Sequence, residues 1–331
     1  MMKAPLLSIL VVAVQLVVVV VAQAQQQTKV PRIGYVSGSG DATNQGPFVE
    51  ALRQGLLKLG YVDRKNLMIE YRGAEGHSER IRELVNELVA LKVDILVLAT
   101  PGAIRTAKEA TQTIPIVMVA SRDPVAMGLI SSLARPGGNI TGISTLSQDL
   151  NGKRLELLKE AVPKLSRVGI LLQVDGFRSA TVNLKEYETA ARDLKVQLQP
   201  LEVRDPNLDL EGAFQTATKA HVSALITITN SNLFLQQKRI VELAIKHRLP
   251  SMFQGSTWVE SGGLMSYSSD ELAAFRRAAY YVDRILKGTK PADLPVEQPL
   301  KFEFAINLKT AKTLGLTIPP MVLTRATKVI K

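Results

Sequence analysis

The chain of 331 residues has no cysteine, 41 Lys and Arg against 30 Asp and Glu, and 5% aromatic against 46% hydrophobic side chains. That composition excludes a disulfide mini-protein, a zinc-cysteine module and a disordered tail, and at roughly 100 to 200 residues per domain the length fits two domains. The formal charge of +11 is spread along the chain (Arg53, Lys58, Arg82, Lys108, Lys153, Arg192, Lys238, Arg276) and alternates with acids on helical faces, which reads as a solvated surface and not as a nucleic-acid footprint.

Residues 1–24 carry Lys3, an apolar stretch over 6–22 broken at Gln15, and the small-residue ending Ala22-Gln23-Ala24. This is the pattern of a secretory signal peptide cleaved near Ala24. A retained membrane anchor is the rival reading, and the following Gln25-Gln26-Gln27 favours cleavage. The expected product is a free, soluble protein in a bacterial periplasm.

From Val30 onward, short apolar runs alternate with longer amphipathic ones, the signature of βα units feeding a parallel sheet. Strands are expected at 32–36, 67–71, 94–99 and 116–120, with helices whose apolar residues recur at spacings of three and four (Phe48, Leu52, Leu56, Leu59; Ile81, Leu84, Val85, Leu88). The stretch Ala134-Arg135-Pro136-Gly137-Gly138-Asn139 then breaks the series. A β-type run at 140–144 and a helix at 150–162 follow, and the alternation restarts with strands at 168–172, 196–203, 224–228 and 251–253. Helices are expected around 180–194, 208–219, 236–247 and 270–286, and a last strand at 302–306 precedes a short helix. The count gives an α/β protein of two doubly wound lobes, and the central break disfavours an eight-stranded barrel.

Open α/β sheets bind ligands beyond the carboxyl ends of their strands, and that rule selects the candidate residues. After the first strand, GYVSGSGD (residues 34–41) offers Ser37, Ser39 and Asp41; Thr43 stands where a dinucleotide fingerprint needs its third glycine, so no cofactor is expected. Thr100-Pro101-Gly102 combines an N-cap with a proline in the first turn, so free N–H groups there favour a ligand carboxylate. Ser121 and Asp123 end the fourth strand, with an ordinary Asp-Pro turn as the bland reading. In the second lobe the corresponding edges carry Asp175 and Phe177, Asn230 and Ser231, and Gln254, and Tyr267 stands near a lobe crossover. The single tryptophan, Trp258, is expected at the cleft or beneath the hinge.

Enzyme signatures are missing: His77, His221 and His247 are far apart, and there is no cysteine and no Gly-x-Ser-x-Gly elbow. Gly55 to Gly60 is only a near miss for a phosphate loop, since Tyr61 and Val62 replace the Lys and Ser/Thr, and it lies on an amphipathic helix. Polar side chains without a nucleophile and base suit holding a ligand better than transforming it. A secreted hydrolase or lyase using the same cleft is the alternative.

Ordered segments carry a family resemblance: FVEALRQGLLKLGYVDRKNLMIEYRGAEG (48–76), LARPGGNITGIS (133–144), GKRLELLKE (152–160), RIVELAIKHRLP (239–250), GGLMSY (262–267) and YVDRILKGTKPADLPVEQP running on through INLKTAKTLGLTIPP (281–320). The chain resembles the exported substrate-binding proteins of ABC transporters of the tryptophan/tyrosine type. The resemblance implies a type I periplasmic-binding fold, two three-layer lobes joined by three crossovers: 29–145 with 267–298, and 146–266 with 299–331. It also implies a small-molecule ligand, a membrane permease with a cytoplasmic ATPase as partners, no nucleic acid, and a monomer. Asn230-Ser231 stands where the family often has Asp-Pro, Val174-Asp175-Gly176 replaces an Asn/Pro-rich segment, and Tyr71-Arg72-Gly73 lacks the usual tryptophan. The second lobe therefore offers no acid at that position for a ligand amino group.

Overall fold

The computed structural model describes residues 30–145, 150–174, 179–204, 208–298 and 301–331. The expected signal peptide lies outside these residues. Among the described residues no helix is long and apolar enough to cross a membrane.

The amino-terminal half runs β1 (Arg32–Ser37), α1 (Gly46–Lys58), β2 (Met68–Gly73), α2 (Ile81–Ala90), β3 (Ile95–Leu98), α3 (Pro101–Ala110), β4 (Ile116–Arg122) and β5 (Ile140–Thr145). Then come α4 (Asn151–Ala161), β6 (Arg167–Gln173), α5 (Ser179–Asp193), β7 (Gln197–Val203), α6 (Leu210–Lys219), β8 (Ala224–Thr227), α7 (Ser231–Leu235) and α8 (Gln237–Lys246). The chain closes with β9 (Ser251–Phe253), α9 (Ser256–Glu260), β10 (Met265–Ser269), α10 (Glu271–Leu286), β11 (Phe302–Asn307), α11 (Leu308–Thr313), α12 (Pro320–Leu323) and β12 (Lys328–Ile330).

Two sheets result, one ordered β2-β1-β3-β4-β5 and the other β12-β11-β10-β9-β8-β6-β7. The smaller is parallel throughout, and the larger has one antiparallel pairing, β10 with β11. Strands buried on both faces read as continuous apolar runs. In β3, Ile95 and Val97 point into a core with α1 and α10, while Leu96 and Leu98 point into the core with α2 and α3. The larger sheet repeats the division: Ile170 and Ile226 face α4, whereas Leu171 and Leu225 face α6 and α8. Each lobe is thus three layers deep.

The chain passes between the sheets after β5, between β10 and α10, and between Glu297, which bridges to Ile143 beside β5, and β11. β10 belongs to the larger sheet as far as Ser269, so the expected lobe boundary at Tyr267 falls too early. A buried arginine ties this junction: Arg154 of α4, fully enclosed, donates from Nε to the Tyr267 carbonyl (2.7 Å) and from a terminal nitrogen to Asn151 Oδ1 (2.7 Å).

Gly55 to Gly60 is packing. A Cβ on Gly55 would overlap the Arg276 carbonyl oxygen and stand 2.9 Å from Ala279 Cβ, so the glycine lets α1 lie directly on α10. The expected elements are all present within one to three residues at their ends. Three short helices, α7, α9 and α12, and the edge strand β12 are additional, and each is too short to show a period in sequence.

Candidate functional site

A cavity of about 310 Å³ lies between the lobes. Its walls come from the carboxyl ends of strands: Ser37, Gly38 and Ser39 after β1, Ala99, Thr100 and Pro101 after β3, Thr229, Asn230 and Ser231 after β8, and Gln254 after β9. Helices add Phe48 from α1, Phe234 from α7, and Glu271 and Phe275 from α10, and Tyr35 forms the floor. Four of these fifteen residues are aromatic against 5% in the whole chain, which makes the cavity an aromatic slot with a polar rim. Phe48 stacks on Phe275 at 4.9 Å and meets Phe234 of the other lobe at 5.9 Å.

The polar groups divide into those held by the protein and those open to a ligand. Ser37 donates its hydroxyl proton to the Ser39 carbonyl and accepts from Ser39 N, so it shapes the loop. Thr100 caps α3 by accepting from Ala103 N (3.2 Å), which leaves its O–H proton to donate. Asn230 caps α7 through Leu233 N (2.9 Å) and donates to Gln173 Oε1 (2.7 Å). Gln254 Oε1 accepts from Thr229 N (3.2 Å), and the buried Thr229 hydroxyl has no partner among the described residues. Thr100, Asn230 and Ser231 also border a second, more polar recess of about 430 Å³, which takes in Gly102 and Arg82.

Several sequence candidates stand elsewhere. Asp41 is exposed and turns back onto its own loop, accepting from Thr43 N, Thr43 Oγ1 and Asn44 N, which holds its carboxyl below the usual carboxylate range. Asp123 is likewise exposed and caps a turn through Ala126 N (3.0 Å). Tyr267 packs away from the cavity, stacked on Phe302 at 6.0 Å and edge-on to Phe304 at 6.2 Å, as its side of β10 requires. Ser121 contributes backbone to β4, paired with Ser144, and its side chain lies outside the described residues, as do Asp175 and Phe177. Trp258 does not line the cavity: it is fully buried one ring behind the wall, stacked on Phe253 at 4.7 Å and edge-on to Phe234 at 6.3 Å.

Sequence reasoning missed Tyr35, Phe48, Phe234, Phe275 and Glu271. The four rings look like ordinary core positions on amphipathic elements, and only the meeting of two lobes exposes them to one space. Glu271 looks like an ordinary acid in the first turn of a helix, next to the Asp270 cap. In the fold it is the single charged residue of the cavity lining, and burial pushes its carboxyl up to about 7, with Arg154 opposing and Asp270 adding to the rise. Burial also raises the Tyr35 hydroxyl, reinforced by Tyr71.

The lining holds no nucleophile paired with a base. His77 pairs with Glu79 on the surface (3.1 Å), and His247 meets Thr218 (3.0 Å) on α6. Among the described residues no cluster of His, Cys, Asp and Glu has the arrangement of a metal site.

Comparison with known proteins gives the same picture. A tyrosine-binding protein of Clostridioides difficile is 28% identical over 279 residues, covering 82% of this chain and 78% of the relative. A conserved domain protein from Vibrio cholerae has a structure similar at a TM-score of 0.80 with 26% identity, over 91% of this chain and 100% of that one. The structure of an ABC domain in complex with L-Trp from Streptococcus pneumonia is similar at 0.78, also with 26% identity, over 91% and 99% of the two chains. The fold is that of the type I periplasmic-binding proteins. A family model, ABC transporter substrate binding protein, matches residues 36–330, nearly the whole chain beyond its amino-terminal segment, and the chain belongs to that family.

Proposed function

We propose that this protein is the exported receptor of an ABC importer, that it binds an aromatic amino acid between its lobes, and that it delivers the ligand to a membrane permease driven by a cytoplasmic ATPase. The observation that carries the reading is the interlobe cavity itself, with four aromatic rings and a single carboxylate in its lining. At about 310 Å³ it lies at the small end of ligand pockets, roughly 300 to 1,000 Å³, and so suits one amino acid better than a sugar chain or a nucleotide. Relatives named for tyrosine and crystallised with L-Trp support the same class. The ligand side chain enters the slot of Tyr35, Phe48, Phe234 and Phe275, and its carboxylate meets the hydroxyls of Ser39, Thr100 and Ser231. The signal pattern of residues 1–24 supports export.

The test is mass spectrometry of small molecules released when the purified mature protein is denatured. One equivalent of an aromatic amino acid is the expected result. An unrelated molecule, or turnover of whatever is bound, contradicts it.

A further inference from the structure

Resting on that reading of the cavity, we propose that Glu271 selects for ligands that carry an amino group, receiving the ammonium from the side of the second crossover. In the second lobe Asn230, which lines the cavity, is a neutral amide already engaged as a cap and with Gln173, and it offers an ammonium no carboxylate. The acid comes instead from the start of α10, on the opposite wall.

Three observations point at a missing cation. Glu271 lines the cavity and is the one charged side chain there. Its carboxylate makes no hydrogen bond and no ion pair with any described residue. The positive charge that acts on it, Arg154, is already committed to the Tyr267 carbonyl and to Asn151. A surface acid in a helix's first turn needs no partner because water solvates it. Glu271 is partly buried in the cavity wall, and burial without a partner disfavours its anion. An ammonium group held against it makes a charge-assisted pair.

The groups around Glu271 set its proton. Arg154 from α4 favours the anion, and Asp270 disfavours it while itself lying 3.8 Å from Arg276. Tyr35 shares the cavity lining, and Glu303 of β11 lines a small void behind the carboxyl together with Asp270 and Phe48. Burial wins, so the empty site is about half protonated near pH 7. Binding of a cationic amine then expels that proton to solvent: the carboxylic acid loses H⁺, the ammonium keeps its three, and the pair is neutral. Affinity is therefore flat above pH 8 and falls toward tenfold per unit below pH 7, until the carboxyl of the complex itself protonates.

The experiment titrates the mature protein with L-tyrosine and with 3-(4-hydroxyphenyl)propanoate, its amine-free counterpart, by calorimetry at pH 6, 7 and 8, in wild type and Glu271→Gln. At pH 8 the wild type should prefer L-tyrosine by at least about tenfold, as expected for a hydrogen bond to a charged group. Its affinity for L-tyrosine should drop about tenfold between pH 8 and pH 6. In Glu271→Gln both the preference and the slope should vanish while the amine-free acid still binds. Equal affinity for the two compounds at pH 8, or an unchanged preference in Glu271→Gln, overturns the role of Glu271 and leaves an aromatic carboxylate receptor standing. Failure of both compounds to bind the wild type overturns the aromatic amino-acid reading itself, and this inference with it.

Discussion

Gly38, after β1 of one lobe, lies directly against Ser231, at the start of α7 of the other: a Cβ on Gly38 would overlap the Ser231 hydroxyl and stand 3.1 Å from its Cβ. The lobes meet here because position 38 has no side chain. Gly76 repeats the arrangement at φ +87°, where a Cβ would stand 2.8 Å from Asn232 Oδ1 and 2.7 Å from Leu235 Cδ1. At both glycines the lobes come into direct contact, and Gly38 does so within the cavity lining.

Gly38→Val should consequently hold the lobes apart. Its backbone does not need the left-handed region, so once the lobes have parted to admit the side chain the ligand-free protein should unfold within about 1 kcal/mol of wild type. Affinity for the aromatic amino acid should fall by at least tenfold, roughly 1.4 kcal/mol. Thermal unfolding and calorimetry on the same preparation separate the two effects, and unchanged affinity would show that closure does not depend on this contact.

The stability of the empty protein should depend on Glu271 in one direction only. Its carboxyl titrates at about 7 in the fold, against about 4.3 in an unfolded chain. Between these values the folded state holds a proton that the unfolded chain has lost, so stability declines as pH rises from about 4.3 to about 7, and the cost is complete above that. Glu271→Gln should therefore raise stability at pH 8 by up to about 4 kcal/mol, less to the extent that water in the cavity reaches the carboxyl, and leave it unchanged at pH 4. Denaturant unfolding at both pH values checks this, and an equal gain at both would assign the effect to shape rather than charge.

Trp258 should report on the ligand through Phe234. The indole is fully buried, its Nε1 has no acceptor among the described residues, and its edge meets the ring that forms the cavity wall. Adding L-phenylalanine, whose own emission does not interfere, should give a saturable change in tryptophan fluorescence. Phe234→Ala should abolish most of that change beyond its effect on affinity. A flat signal in the wild type, with binding shown by calorimetry, would mean that the Phe234 ring does not move when the site fills.

Arg154 should tolerate no replacement. Arg154→Met removes the donor to the Tyr267 carbonyl and to Asn151 Oδ1 inside the junction of α4 and β10, a change that costs about 1 to 3 kcal/mol for each acceptor left unsatisfied. Arg154→Lys cannot reach both partners with one ammonium and should recover less than half of the loss. A melting temperature for Arg154→Lys equal to wild type would contradict the two-pronged role.

The fold was legible because its signals are local and repeated. Continuous apolar runs such as 95–98 mark strands buried on both faces, and the Pro/Gly stretch at 134–139 marks the end of the first series. The polar half of the site was legible for the same reason, since Ser39, Thr100 and Ser231 sit where strands end. Its aromatic half was not. Phe48 and Phe275 obey the core periodicity of α1 and α10, and nothing local distinguishes a ring facing a cavity from a ring facing another ring. Asp41 and Asp123 failed in the opposite way: their side chains satisfy their own turns, as Asp in a loop commonly does. Glu271 could be found only once α10, entering from the second crossover, was known to approach the cavity from behind Phe48.

Amide hydrogen exchange with and without saturating L-tyrosine tests the binding of one ligand by two lobes most directly. Simultaneous slowing is expected in segments around 37–39 and 100–103 of one lobe, 229–234 and 254–256 of the other, and the first turn of α10. Protection confined to one lobe, or no protection anywhere while L-tyrosine is bound, would contradict it.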